Sequence, residues 1–147
     1  MSLVQNKKAY FNYEIIEKIE AGIELLGIEV KSLRGNQGSL EGGHVVVRGG
    51  EAYLTNVTIP PYQNANTPKD YEPSRNRRLL LTKKELHDLA EIEKVKGLTI
   101  IPLSVYNKGR KIKISIALAK GKKKFDKRES IKKRDVGREI RREMKEH

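Results

Sequence analysis

The chain has 147 residues, 31 Lys and Arg against 19 Asp and Glu, and a formal net charge of +12. That length suits one domain, and the absence of Cys excludes disulfides, Cys-ligated zinc, iron–sulfur clusters and thiol catalysis. No apolar run approaches the ~20 residues that cross a bilayer, and Met1 to Lys8 lacks the apolar stretch of a secretory signal. The expectation is a cytoplasmic protein with a polyanionic partner and no membrane.

In chain order, Tyr13 to Ile19 and Ile23 to Ile28 are two short predicted strands separated by Ala21-Gly22. A short helix is expected at Glu29 to Arg34, with Val30 and Leu33 inward and Gly35 as its stop. Val45 to Arg48, then Gly49-Gly50, then Glu51 to Ile59 predicts a hairpin, because paired glycines tolerate the positive φ of a tight turn. Pro60 to Arg78 has no periodicity and holds four of the five prolines, the mark of a functional or mobile loop.

Thr82-Lys83-Lys84-Glu85 has capping-box form, Leu86, Leu89 and Ala90 make a helical stripe, and Gly97 is the expected stop. Ile112, Ile114, Ile116 and Leu118 alternate with Lys113, Ser115 and Ala117, Thr99, Ile101, Leu103 and Val105 recur with the same period of two, and Asn107-Lys108-Gly109 turns between the two runs. The sum is a mainly β domain: an antiparallel barrel or sandwich of about six strands with short flanking α-helices.

Charge divides the chain. Residues 1–119 carry 18 basic and 13 acidic side chains, whereas residues 120–147 carry 13 basic and 6 acidic. This predicts a compact body over 1–119 and a basic tail over 120–147, either an arm along phosphates or a solubilising segment. In the tail, Ile131, Val136, Ile140 and Met144 form a narrow apolar seam. Gly137 and like-charge pairs such as Arg134/Arg138 weaken that helix, so the tail is expected to be disordered or frayed until it binds.

Catalytic patterns are scarce. His44, His87 and His147 have no metal-ligand neighbour at helical spacing, no Ser sits in a nucleophile elbow, and Gly121-Lys122-Lys123 lacks the rest of a phosphate-binding P-loop. Pairs such as Glu14/Glu17 and Glu91/Glu93 leave a two-carboxylate nuclease open on spacing alone, although 19 acids create such pairs by chance. No cofactor or metal site is expected.

Four basic clusters instead stand out: Lys7-Lys8 before Tyr10-Phe11, Lys31 with Arg34, Arg75 with Arg77-Arg78, and Lys120 with Lys122-Lys123-Lys124. On a barrel of this charge they point to nucleic acid. Aromatic residues are only 5% with no Trp, which suits folded RNA better than a single-strand stacking platform.

Four ordered segments carry a family resemblance. They are Glu20-Ala21-Gly22-Ile23, Glu29-Val30-Lys31-Ser32-Leu33-Arg34, Arg75 with Arg77-Arg78-Leu79-Leu80-Leu81, and Ala119-Lys120-Gly121-Lys122-Lys123 followed by Asp126-Lys127-Arg128. From about Asn6 to Arg142 the chain resembles the SsrA-binding protein (small protein B) family of bacterial trans-translation. The resemblance implies an OB-type barrel with flanking helices and no enzymatic activity. It implies transfer-messenger RNA as partner, bound through its tRNA-like domain and delivered with elongation factor Tu to stalled ribosomes. The other reading is a ribosome-associated OB-fold protein that binds ribosomal RNA directly.

By the same resemblance, RNA contacts fall on Asn6, Glu20 and Leu80, with Gly22 and Gly121 inside the matching motifs. Lys7, Lys8, Lys31, Arg34, Lys120, Lys122 and Lys123 would hold phosphates. Phe11 stands where some relatives have His, so a base contact there would be stacking. From residues alone, Glu20 is equally a turn-capping or salt-bridged acid, Leu80 a core residue, and each cation a solvated side chain. For the tail, the resemblance implies entry into the decoding centre and empty message channel of the small ribosomal subunit. Asp126, Lys127 and Arg128 match the motif for that step, and Phe125 replaces the His of some relatives.

Overall fold

The computed structural model describes residues 2–62 and 67–122. Its strands are β1 Ser2–Gln5, β2 Tyr13–Ile23, β3 His44–Arg48, β4 Glu51–Thr55, β5 Arg77–Leu80, β6 Leu98–Lys108 and β7 Lys111–Gly121; its helices are α1 Ala9–Asn12, α2 Gly27–Arg34 and α3 Lys83–Glu93. The seven strands form one sheet in the order β1-β6-β7-β2-β5-β4-β3, and every ladder is antiparallel. β3 at one edge lies against β6 near the other, so the sheet curls toward an OB-like barrel without a closing ladder.

Local chemistry explains the predicted hairpins. Gly49 and Gly50 both have positive φ, 59° and 78°, which gives the β3–β4 turn the twist of its strands. Gly109, at φ 64°, does the same between β6 and β7. At α3 the Thr82 hydroxyl accepts from the Glu85 N–H at 3.2 Å, and the Glu85 carboxylate accepts from the Thr82 N–H at 2.9 Å, the reciprocal cap expected from sequence. α3 ends at Glu93, however, and Gly97, with φ 88°, serves the turn into β6 rather than the helix cap.

Several boundaries differ from the sequence expectation. Ala21-Gly22 does not break a strand; β2 runs through it, and Ile28 belongs to α2. β4 stops at Thr55, before Asn56 at φ 58°. β1, α1 and β5 carried no legible signal; the two added strands, less the predicted Ile23 to Ile28 strand that does not form separately, bring the count from about six to seven. β5 hides because its inward positions are Arg77 and Leu79, so a cation stands where an apolar residue would announce the strand. α2 buries Leu33 as expected, but it also fully encloses two polar residues, Glu29 and Ser32.

The core lies on the concave side, with Ala21, Ile23, Leu54, Leu79, Ile100, Ile114 and Ile116 at its centre. A smaller cluster forms on the opposite face of the same strands, where Ala117 and Ala119 are small enough for α1 to seat Ala9 against Ile101 and Leu103. Two bulges decide which side chains reach that outer face beyond α1. One falls between Ile15 and Glu17 on β2, the other between Pro102 and Ser104 on β6. A one-residue shift exchanges the faces of everything after it. Tyr13 and Ile15 therefore pack beneath α1 while Ile19 enters the main core, and the intervening even positions of β2 turn outward. Pro102, which has no N–H for a ladder, sits at its bulge as expected.

Candidate nucleic-acid interface

The outer face beyond α1 is organised by two cross-strand rows. Gln5, Ser104, Ser115 and Glu20 are successive partners across β1, β6, β7 and β2. The next row runs Tyr106, Lys113, Gly22 and Leu80 across β6, β7, β2 and β5. Glu20 and Leu80, 60 positions apart in the chain, thus become neighbours on one surface.

Glu20 is exposed and doubly held. Its Oε1 accepts from Lys108 Nζ at 2.8 Å, and its Oε2 accepts from the Tyr106 hydroxyl. The Lys108 bond, followed by that of Tyr106, keeps its carboxyl below the usual range. Tyr106 is pushed up to about 12, by burial first and by the Glu20 bond second. Glu20 is thus a salt-bridged acid, as one reading of the sequence had it. It is also a fixed, ionised acceptor on a cationic face, where its charge repels phosphate and its oxygens suit base amino groups.

Leu80 is not a core residue: 47% of it is exposed, and the buried member of its triplet is Leu79. Its cross-strand partner Gly22 is required by close approach, since a Cβ there would lie 3.1 Å from Leu80 Cβ and 3.2 Å from Leu80 Cδ1. Gly22→Ala is expected to crowd Leu80 at its Cβ, which a change of rotamer cannot move, at a stability cost of about 1 to 3 kcal/mol, whereas Leu80→Ala, at an exposed position, should cost less. Thermal melts of the two variants check this.

The other predicted residues divide. Asn6 is nearly buried; its side-chain amide donates to the Pro102 carbonyl at 2.9 Å, so one of its two amide N–H groups anchors the end of β1 to the β6 bulge. Lys7 and Lys8 lie between β1 and α1, with Lys8 3.3 Å from Glu41 in an exposed pair. Phe11 is half-buried on α1. Lys31 and Arg34 are exposed on α2, and Arg34 donates to the Arg110 carbonyl in the β6–β7 turn at 2.9 Å. Lys120 and Gly121 end β7, and Lys122 donates to the Tyr10 carbonyl at 2.9 Å. Lys123, Phe125, Asp126, Lys127, Arg128, Ile131, Val136, Ile140 and Met144 lie outside the described residues.

One basic cluster proves to be internal. Glu29 Oε1 accepts from Arg75 at 2.6 Å and from the Leu26 N–H at 2.7 Å, while Oε2 accepts from Arg75 Nε at 3.0 Å and Arg77 Nε at 2.8 Å. Arg77, fully buried, also donates to the carbonyls of Val57, Arg75 and Pro73 at 2.8 to 2.9 Å. Arg78 pairs with Glu24 at 2.7 Å and Glu51 at 3.2 Å. These three cations therefore tie the segment after Pro60 to α2 and the sheet, so this one of the four basic clusters is engaged by carboxylates of the fold itself.

Lys18, Tyr106, Lys108, Lys113, Ser104 and Ser115 carried no sequence signal and reach the interface only through register. Among the described residues no group of three or more His, Cys, Asp or Glu could hold a metal ion. Glu93 of the Glu91/Glu93 pair is committed to the Val47 N–H at 2.6 Å and Arg48 at 2.7 Å. No helix among the described residues is long and apolar enough to cross a membrane.

A curled antiparallel β domain of OB-like form, with a cationic outer face around the fixed Glu20 carboxylate, has the kind of surface that suits a nucleic acid. The family model described as SmpB protein matches residues 3–146. The chain belongs to that family. It is 52% identical to the SsrA-binding protein of Elusimicrobium minutum over 140 residues, 95% of this chain and 88% of the relative. It is 50% identical to that of Thermosipho africanus over 139 residues, 94% and 93% of the two chains. It also superposes, with a TM-score of 0.69 and 42% identity over 82% of its length and 84% of the other's, on a chain from the structure described as "tmRNA-SmpB: a journey to the center of the bacterial ribosome".

Proposed function

We propose that this protein is a non-enzymatic, cytoplasmic RNA-binding adaptor of trans-translation. Its body binds the tRNA-like domain of transfer-messenger RNA, and with elongation factor Tu the complex reaches stalled ribosomes. The observation that carries this reading is the chain-long likeness to SsrA-binding proteins, and the outer face supplies a chemistry consistent with it. Glu20 and Leu80 meet the RNA, with Gly22 beneath Leu80 and Asn6 fixing the edge. Lys7, Lys8, Lys31, Arg34, Lys120, Lys122 and Lys123 neutralise phosphates, and Phe11 stacks.

The body, 1–119, and the tail, 120–147, have separate tasks. The tail enters the decoding centre and the empty message channel through Phe125, Asp126, Lys127 and Arg128, then folds along Ile131, Val136, Ile140 and Met144 on contact with RNA. Cutting the chain after Lys124 is expected to leave transfer-messenger RNA affinity nearly intact and to abolish tagging on stalled ribosomes. A truncation that cripples RNA binding would show that this division is misplaced.

The decisive experiment is binding to transfer-messenger RNA across a salt series, with bulk tRNA and ribosomal RNA fragments as competitors. Phosphate contacts weaken with salt for any RNA, so selectivity that persists as salt rises supports the adaptor. Equal, salt-collapsing binding to all competitors would favour a generic ribosomal RNA binder instead.

A further inference from the structure

Beside Glu20, the outer face opens into a cleft of about 380 Å3 between the β1–α1 segment and the strands β2, β6 and β7. Lys7, Tyr10, Lys18, Ser104 and Ser115 line it, with Asn6 at its edge. We propose that this cleft is a subsite for one unstacked nucleotide of the bound RNA, with phosphate at Lys7 and Lys18 and the base against Tyr10. The proposal deepens the RNA-binding reading and rests on it.

Three observations converge. Tyr10 is 46% exposed, an aromatic left open on a surface where burial would stabilise it. Lys18 Nζ lies 5.3 Å from the centre of its ring, so a cation and an aromatic face already stand together, the pair that a phosphate and its base require. Lys18 points this way only because the β2 bulge puts it on the outer face, opposite Ala117.

The floor is polar but uncharged. The Ser104 and Ser115 hydroxyls each offer a donor and an acceptor to a base edge or ribose, which suits RNA. None of the side chains lining the cleft is acidic, and the Glu20 carboxylate borders it on β2 as the cross-strand partner of Ser115. An RNA strand that passes from Leu80 to Glu20 on the neighbouring row therefore continues along the Glu20 row, over Ser115 and Ser104, into the cleft.

The test uses the full chain and an RNA carrying the tRNA-like domain, with Tyr10→Ala, Tyr10→Phe and Lys18→Gln. Tyr10→Ala is expected to weaken binding by about 5- to 100-fold, the range for loss of one base–aromatic stack, and Tyr10→Phe to stay within about twofold. Lys18→Gln is expected to reduce the slope of log affinity against log salt by about one. Thermal melts of all three should match the parent, because both side chains are exposed. Tyr10→Ala binding within about twofold of the parent would overturn the subsite, and so would equal losses in Tyr10→Ala and Tyr10→Phe. In either case a parent protein that still prefers the tRNA-like domain preserves the broader reading; a parent without that preference removes both.

Discussion

Glu29→Ala is expected to destabilise the fold by about 3 to 5 kcal/mol, the cost of stripping one partner from a buried ion network. Arg77 would keep its carbonyl partners at Val57, Arg75 and Pro73, yet its fully enclosed charge would lose its counter-ion. Arg75 would lose its two-point hold on the same carboxylate. Because Arg75 precedes β5, Arg77 begins it and β5 carries Leu80, the damage would reach the outer face as well. Glu29→Gln keeps the shape and some acceptors but no charge, and should fall between the two. Urea unfolding of the three proteins gives the order directly.

The network also sets an acid limit. Burial pushes the Glu29 carboxyl up, but the Arg75 hydrogen bond, the Leu26 N–H and Arg77 together outweigh it and hold the group below its ordinary 4.5. A carboxyl depressed in the folded state contributes stability above its unfolded pKa, and that contribution disappears as pH falls through the folded value. Unfolding midpoints should therefore decline below about pH 4.5. Glu20 and Glu24, likewise lowered by their cationic partners, add to the decline, so Glu29→Gln should flatten the acid limb without abolishing it. An acid limb unchanged in Glu29→Gln would assign it to the surface carboxylates instead.

Glu20→Ala is expected to reduce preference for the tRNA-like domain by about 10- to 100-fold, the range for losing hydrogen bonds to a charged acceptor. Binding to unrelated RNA should rise slightly, because one negative charge leaves a cationic face. Tyr106→Phe should give a smaller loss, since Tyr106 acts by orienting Glu20 rather than by touching RNA. A pH series separates orientation from simple structural support. Selectivity should fade as acidity protonates Glu20, and without the Tyr106 hydroxyl its carboxyl titrates at higher pH, so the fade in Tyr106→Phe should begin earlier. Unchanged selectivity in Glu20→Ala would reduce Glu20 to a surface ion pair with Lys108.

Much of the fold was legible because its signals are local. The adjacent glycines at 49–50, the turn at Gly109 and the reciprocal Thr82–Glu85 cap each act within a few residues. The long alternations of β6 and β7 announce themselves by side-chain period. The excess of basic residues and the ordered motifs were enough to name nucleic acid and the family.

What sequence period could not decide was which face a side chain occupies once a bulge intervenes. Tyr13, Ile15, Ile19, Ala21 and Ile23 share one phase on paper, yet the first two pack beneath α1 and the others in the main core. The adjacent pair Ile15-Ile16 is the one trace of that shift in the sequence. The same change turns Lys18, Glu20 and Gly22 outward, and its counterpart on β6 brings Tyr106 and Lys108 to Glu20. Nor could composition separate cations left on the surface from those consumed inside. Arg77 reads like any Arg until folding places Glu29, 48 positions earlier, against its guanidinium. The sequence by itself determined the β-rich class, the charge and the family; long-range pairing, through bulges and one buried ion network, decided which residues make the surface.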